Sequence, residues 1–172
     1  CHVYPEADVP IVQISIDLGQ PPQWHYDLAK KLAPLRDEGV LIVGSGNLVH
    51  NLRAYAWGRE NVEPYDWAVR FDETARALIM TGDNEPLINY ESLGDDAMMS
   101  VPTPDHYLPL LYVLAQARED DVISFPVDGF EGGELEQGFD GGIGDRSVGE
   151  PDHAELGRAG ELGDGLVGDF GG

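Results

Sequence analysis

Two short apolar runs separated by an amphipathic stretch constrain the fold of this chain more than any other feature. Residues 9–16 (Val-Pro-Ile-Val-Gln-Ile-Ser-Ile) are rich in β-branched side chains and are closed by the turn signal Gly19-Gln20-Pro21-Pro22. Residues 39–44 (Gly-Val-Leu-Ile-Val-Gly) follow an Asp37-Glu38-Gly39 turn and carry no polar side chain. Both read as buried strands. Between them, residues 23–36 set Trp24, Leu28, Leu32 and Leu35 at the spacing of one helical face, with Pro34 disturbing the last turn. Strands alternating with helices, and no tight hairpin signal between strands, predict α/β architecture.

The same alternation continues. Residues 64–80 predict a helix with Trp67, Phe71, Ala75 and Leu78 on its apolar face and Pro64 near its start. A short helix is expected over 86–90, another over 104–117 carrying Tyr107, Leu110, Leu111 and Leu114, and a last strand over 122–127. No internal repeat is visible.

Composition then changes. Residues 131–172 hold 14 of the 22 glycines, with 11 acidic and 2 basic residues for a net of −9, which leaves −13 on residues 1–130. A Gly/Asp/Glu stretch cannot bury enough apolar surface to offset chain entropy, so a single domain over 1–130 and a disordered tail over 131–172 are expected. The tail contains no Lys, Asn, Thr, Tyr, Met, Cys or Trp, a palette that a GC-rich message yields readily, and we read it as frameshifted or read-through. The chain starts at Cys1 and enters a strand-like run almost at once, so its N-terminus is read as cut or incompletely sequenced.

Charge excludes several functions. With 10 Lys and Arg against 32 Asp and Glu, the net charge is −22, which opposes a broad nucleic-acid footprint and docking on anionic membranes. No apolar run approaches the roughly 20 residues of a membrane span. Cys1 is the sole cysteine, so an internal disulfide and a Cys-rich zinc module are ruled out. A soluble, cytoplasmic protein is expected. Lys30 and Lys31 are the only lysines, which suits a salty habitat and a GC-rich genome equally.

Two segments carry candidate chemistry. In Gly44-Ser45-Gly46-Asn47-Leu48-Val49-His50-Asn51-Leu52-Arg53, a glycine-loosened loop follows a predicted strand, the place where open α/β sheets bind ligands. The nucleotide motifs fail there, because Val49 stands where a third glycine is needed and no Gly-Lys-Ser/Thr follows. The loop presents His50, which is either a metal ligand or proton carrier or a histidine satisfied by local hydrogen bonds. In Ser100-Val101-Pro102-Thr103-Pro104-Asp105-His106-Tyr107, two prolines precede a helix that Thr103 or Asp105 caps. His106 then falls in the first turn, where the helix dipole favours the neutral, metal-binding imidazole; the alternative is a helix-start residue of no special role. His25, one residue after Trp24, is read as solvated or at a rim, and His2 and His153 receive no role. Asp128 and Glu131 flank Gly129-Phe130 in an acidic turn that is read as solvated. No Gly-x-Ser-x-Gly, His-Glu-x-x-His or nucleophilic cysteine context is present.

The segment 39–53 closely resembles a signature of the class III extradiol ring-cleavage dioxygenases, in the branch called 4,5-DOPA dioxygenase extradiol-like. Pro64-Tyr65-Asp66-Trp67-Ala68, Phe71-Asp72, residues 100–112 and residues 122–133 resemble that branch too. The likeness covers roughly residues 4–133 and corresponds to the C-terminal portion of a single-domain, mixed or parallel-sheet α/β dioxygenase fold; residues from Glu134 onward do not match. The resemblance implies an enzyme that opens a catechol such as DOPA beside its hydroxyls, using O2 and a non-haem divalent metal, Fe(II) or Zn(II). His50 and His106 match the later pair of four metal-associated histidines, with His50 open to two roles, ligand or catalytic acid/base. Asn47 and Asn51 would orient the loop or touch substrate. The earlier histidine pair has no counterpart here, and about three protein ligands are the rule for such metals, so weak metal binding and no useful turnover are expected of this chain alone. Two readings compete. A zinc hydrolase would also use histidines and a bound water, but lacks a glutamate at a helical offset. A non-catalytic acidic interaction module has no reason to contain the two long motifs. The oligomeric state is not legible.

Overall fold

A computed structural model describes residues 6–59, 62–125, 129–131, 134–135 and 142–144. Five helices supply most of its regular structure: α1 (Pro22–Lys30), α2 (Asp66–Thr81), α3 (Asn84–Ile88), α4 (Asp95–Ser100) and α5 (Leu108–Leu114), with 3-10 turns at Ala33–Glu38, Tyr90–Leu93 and Pro104–His106. The strands are short: β1 (Val122–Ser124) pairs antiparallel with β4 (Gly142–Gly144), and β2 (Phe130–Glu131) with β3 (Glu134–Leu135). Among the described residues the architecture is therefore mostly helical, with two two-stranded antiparallel pieces and no wide sheet. β3 and β4 fall within the stretch read from sequence as a tail, whose remaining residues, with His153, lie outside the described residues, as do His2, Asp128 and residues 126–127 of the predicted last strand.

Helix α2 forms where its periodicity predicts. Ala68, Phe71, Asp72, Ala75 and Ile79 are buried, while Trp67 and Leu78 pack partly buried at the margin. Gly82, at φ 71°, stops it, and its N–H and that of Asp83 return to the Ile79 and Leu78 carbonyls. Helix α4 has no counterpart in the sequence reading; it is six residues long and begins Asp95-Asp96, too short for periodicity to register. The core lies between α2, α3 and α5, and loop residues Leu48 and Val49 join it. Tyr107 is wholly inside, its hydroxyl donating to the Leu87 carbonyl at 2.8 Å and its ring 4.7 Å from that of Tyr90. Burial holds the Tyr107 phenol far above its ordinary pKa, so the hydroxyl always has a proton to donate.

Three expectations change. The helix read over 23–36 is split: α1 ends at Lys30, and Pro34 falls in the 3-10 turn that Gly39, at φ 80°, terminates. Its inward face is His25, Tyr26 and Ala29 rather than Trp24 and the leucines. His25 is fully buried, not solvated: its Nε2–H donates to the Asp17 carbonyl and its Nδ1 accepts from the Tyr112 hydroxyl, both at 3.0 Å. The runs 9–16 and 40–44 are not buried strands. They belong to no ladder among the described residues, and most of their side chains stand in solvent, Ile11 at 82%, Val12 at 86%, Leu41 at 73% and Val43 at 75% exposure, while Ile42 is half-buried and Ile16 packs against the core. β-branched sequence favours extended backbone, but burial requires partner strands that these segments do not meet here.

Candidate functional site: a stacked histidine pair

The loop 44–51 lies against the segment 99–109, and glycine permits it. A Cβ on Gly46 would sit 2.1 Å from the His106 carbonyl oxygen, and one on Gly44 would sit 2.6 Å from that of Pro109. Two positions without a Cβ thus let backbone touch backbone. Hydrogen bonds then fasten the two segments. The Asn47 N–H donates to the His106 carbonyl at 2.9 Å, the His50 N–H to the Ser100 carbonyl at 2.8 Å, and the Asn51 side-chain amide to the Met99 carbonyl at 2.7 Å. The Asn51 side-chain oxygen also accepts from the Arg53 N–H at 3.2 Å, so this residue fixes the loop on both sides.

The result brings His50 and His106 face to face. Their ring centroids are 3.8 Å apart and their planes 10° from parallel. Asp105 joins them, its carboxylate 3.4 Å from His106 Nε2. Partial burial, and next the adjacent His106, hold His50 below the ordinary imidazole pKa, against a smaller opposing pull from Asp105. A hydrogen bond from Thr103 chiefly keeps the Asp105 carboxyl below the usual carboxylate range. At neutral pH the site therefore combines a neutral imidazole at His50 with an ionised carboxylate one residue from His106. Such an arrangement can accept a proton, and can offer imidazole lone pairs to a cation.

The donor type suits iron(II) or zinc, but the set is incomplete. Among the described residues no group of three or more His, Cys, Asp or Glu side chains is placed to hold a metal ion. Each lone pair lies in its own ring plane, and two nearly parallel planes do not meet at one point, so one ring must turn before both face a single ion. The two sequence-predicted histidines lie together, whereas His25 is engaged elsewhere, between Asp17 and Tyr112. Asn47 meets the site through its backbone and Asn51 through its side chain. Sequence reasoning missed the reason for the meeting; the Gly-x-Gly of Gly44 and Gly46 was its one visible signal.

No family model matches the chain. It is 47% identical over 136 residues to a protein named 4,5-DOPA dioxygenase extradiol from Escherichia coli K12, a match covering 77% of this chain and 49% of that one. A protein of the same name from Beta vulgaris is 33% identical over 136 residues, covering 79% of this chain and 50% of its own. The chain thus spans about half the length of the curated relatives it matches. A crystal structure of an uncharacterised protein from Escherichia coli K12 superposes with a TM-score of 0.69 at 45% identity, covering 78% of this chain and 55% of that one.

Proposed function

This chain belongs to the class III extradiol dioxygenase family, with the proteins named 4,5-DOPA dioxygenase extradiol, and on that premise we propose that it carries the histidine pair of a ring-opening dioxygenase acting on a catechol such as DOPA. The observation that carries the reading is the His50–His106 stack, formed by the two longest motifs of the resemblance. Ring opening in this reading uses O2 and a non-haem divalent metal, Fe(II) or Zn(II), which would polarise the bound catecholate. His106 and His50 are assigned toward that metal, within an α/β domain of which this chain supplies a portion. Their donor set falls short of a catalytic site, so the 172-residue chain by itself is assigned weak metal binding and no useful turnover.

What the chain's own residues contribute is proton handling and placement. A general base must be neutral to accept a proton, and the depressed pKa of His50 keeps it so at neutral pH. A catechol hydroxyl within hydrogen-bond reach of the His50 ring would give up its proton there. Asn51 and the Gly46 contact fix the ring in place during that exchange. No helix among the described residues is long and apolar enough to cross a membrane; a cytoplasmic setting is part of the proposal.

The test is a chimera in which this chain's matched segment replaces the 136 corresponding residues of the Escherichia coli relative. Loaded anaerobically with Fe(II) and given a catechol panel, it should consume oxygen and develop the yellow of a ring-opened product. His50→Ala and His106→Ala should each lower the rate by about a hundredfold or more. A folded, iron-loaded chimera that leaves catechols intact and hydrolyses esters would transfer the site to the zinc-hydrolase reading.

A further inference from the structure

We propose that Arg53 sets substrate choice at the histidine pair: its guanidinium binds the carboxylate of a catechol acid, so that catechols with an anionic arm are favoured over uncharged ones. The inference deepens the dioxygenase reading and takes the catechol ring from it, while the carboxylate contact itself needs neither metal nor turnover.

The first observation is where negative charge is missing. The chain carries 32 Asp and Glu, yet residues 39–59, which run through His50, contain none. Most of a surface with a net charge of −22 repels an anionic ligand, which can approach where carboxylates are absent. The second observation is pairing. Of the six arginines among the described residues, four hold a carboxylate: Arg36 that of Asp121, Arg70 that of Asp96, Arg76 that of Asp72 and Arg118 that of Asp37. Arg53 and Arg59 meet none there, and both fall in the acid-free stretch. Asp105 lies against His106 Nε2 instead. The planar fork of N–H donors on an arginine matches a carboxylate, and at Arg53 the fork stands exposed.

The third observation separates Arg53 from Arg59. The peptide group joining Leu52 to Arg53 is clamped at both ends: the Leu52 carbonyl accepts from the Trp57 indole N–H at 3.1 Å, and the Arg53 N–H donates to the Asn51 side-chain oxygen at 3.2 Å. The next carbonyl, of Ala54, accepts from the Tyr65 hydroxyl at 2.8 Å. Three side chains thus fix the backbone beneath an exposed arginine, as a binding group held ready requires. Arg59 has no such root among the described residues; its N–H is held by the Ala56 carbonyl. Asn51 also binds the Met99 carbonyl, so the side chain that fastens the His50 loop sets the position of Arg53 as well. The N–H groups of Ala54 and Tyr55 both return to the Asn51 carbonyl, so the chain turns directly after His50. The Arg53 Cα therefore lies within about 11 Å of the His50 Cα, a span of the size of a catechol with a short acid arm. Exposed Leu52 and Met99, joined through Asn51, offer apolar surface to that ring and arm.

The experiment is an anaerobic NMR titration of the 172-residue chain with dihydrocaffeate, a catechol with a propionate arm, and with ethylcatechol, which lacks the carboxylate. The acid should bind about tenfold more tightly or better, and should shift the Arg53 Nε–H together with the His50 and His106 rings. Arg53→Gln should erase the preference and leave ethylcatechol binding unchanged, while Arg53→Lys, which keeps the charge without the fork, should retain part of it. Arg118→Gln makes the same change of charge elsewhere and should retain all of it. In the Escherichia coli chimera, Arg53→Gln should raise KM for dihydrocaffeate about tenfold with kcat nearly constant, and leave ethylcatechol kinetics alone. The proposal is overturned by equal affinity for the two catechols, by a preference that survives Arg53→Gln or falls as far with Arg118→Gln, or by an acid that shifts Arg53 without the histidine rings. If neither catechol binds the lone chain, the KM ratio in the chimera decides, and its insensitivity to Arg53→Gln overturns the proposal. A chimera that binds the acid through Arg53 and opens no catechol instead overturns the dioxygenase reading and leaves the carboxylate site standing.

Discussion

Valine, isoleucine and leucine meet opposite fates in two regions of this molecule. Around α2, α3 and α5 they are sealed in a core with Phe71 and Tyr107; along 9–16 and 40–44 most stand in water, with Ile16 and Ile42 half-buried. The chemistry is the same and the partners differ. A helix satisfies its own backbone and needs a neighbour for only one stripe, which a nearby helix in sequence can provide. An extended segment needs a neighbour for its backbone and for both faces, and those neighbours come from far along a chain or from another one. Stability should therefore reside almost entirely in the helical region.

The largest effect expected is the one that tests this directly. Phe71→Ala should cost about 3–5 kcal/mol of unfolding free energy, because it removes a fully buried ring and leaves a cavity. Ile11→Ala and Leu41→Ala should each stay within about 0.5 kcal/mol of the parent, since neither side chain leaves water on folding. Urea unfolding reads both. Equal losses from Phe71→Ala and Leu41→Ala would break the comparison and show the extended segments to be structural in the lone chain.

How far each region was legible follows the same division. Helix α2 could be read because its period is local, and Phe71 and Ala75 fall on the predicted face. The face of α1 could not, because His25 is buried by a hydrogen bond to Tyr112, 87 residues away, and hydropathy does not register such a partner. The β-branched character of 9–16 and 40–44 was legible, but their exposure was not, since burial depends on who pairs with them. At the histidine site the residue types and both motifs were visible in sequence. Their meeting was not, because it depends on backbone contact between Gly46 and His106.

That contact gives the second prediction, at the border between the regions. Gly46→Ala puts a methyl group where the His106 carbonyl stands, so loop or helix start must retreat. A loss of about 1–3 kcal/mol is expected from the forced displacement. The sharper readout is an NMR cross-peak between the His50 and His106 rings, present in the parent at 3.8 Å and lost in the variant. A retained cross-peak with an unchanged urea midpoint would mean that the hydrogen bonds from Asn47, His50 and Asn51 hold the pair without the close approach.

The smallest effect concerns the anchor where the extended run 40–44 leaves the helical region. Arg36, in the turn just before it, grips Asp121 with two hydrogen bonds of 2.7 and 2.8 Å and also donates to the Gln116 carbonyl. The Arg36 hydrogen bond chiefly holds the Asp121 carboxyl below its usual range. The unfolded chain, with an ordinary aspartate pKa near ~3.9, thus binds a proton before the folded chain does. The stabilisation is complete above the unfolded value and is lost as pH falls through it toward the lower folded one. Asp121→Asn should cost about 1 kcal/mol at pH 7, and the difference from the parent should shrink as pH is lowered through that window. Because that turn reaches the run only through the Val40 N–H on the Leu35 carbonyl among the described residues, hydrogen exchange of 41–43 in the lone chain should not change with the substitution. An increase there would mean that the run is held by the helical region after all, and that the two regions share one cooperative unit.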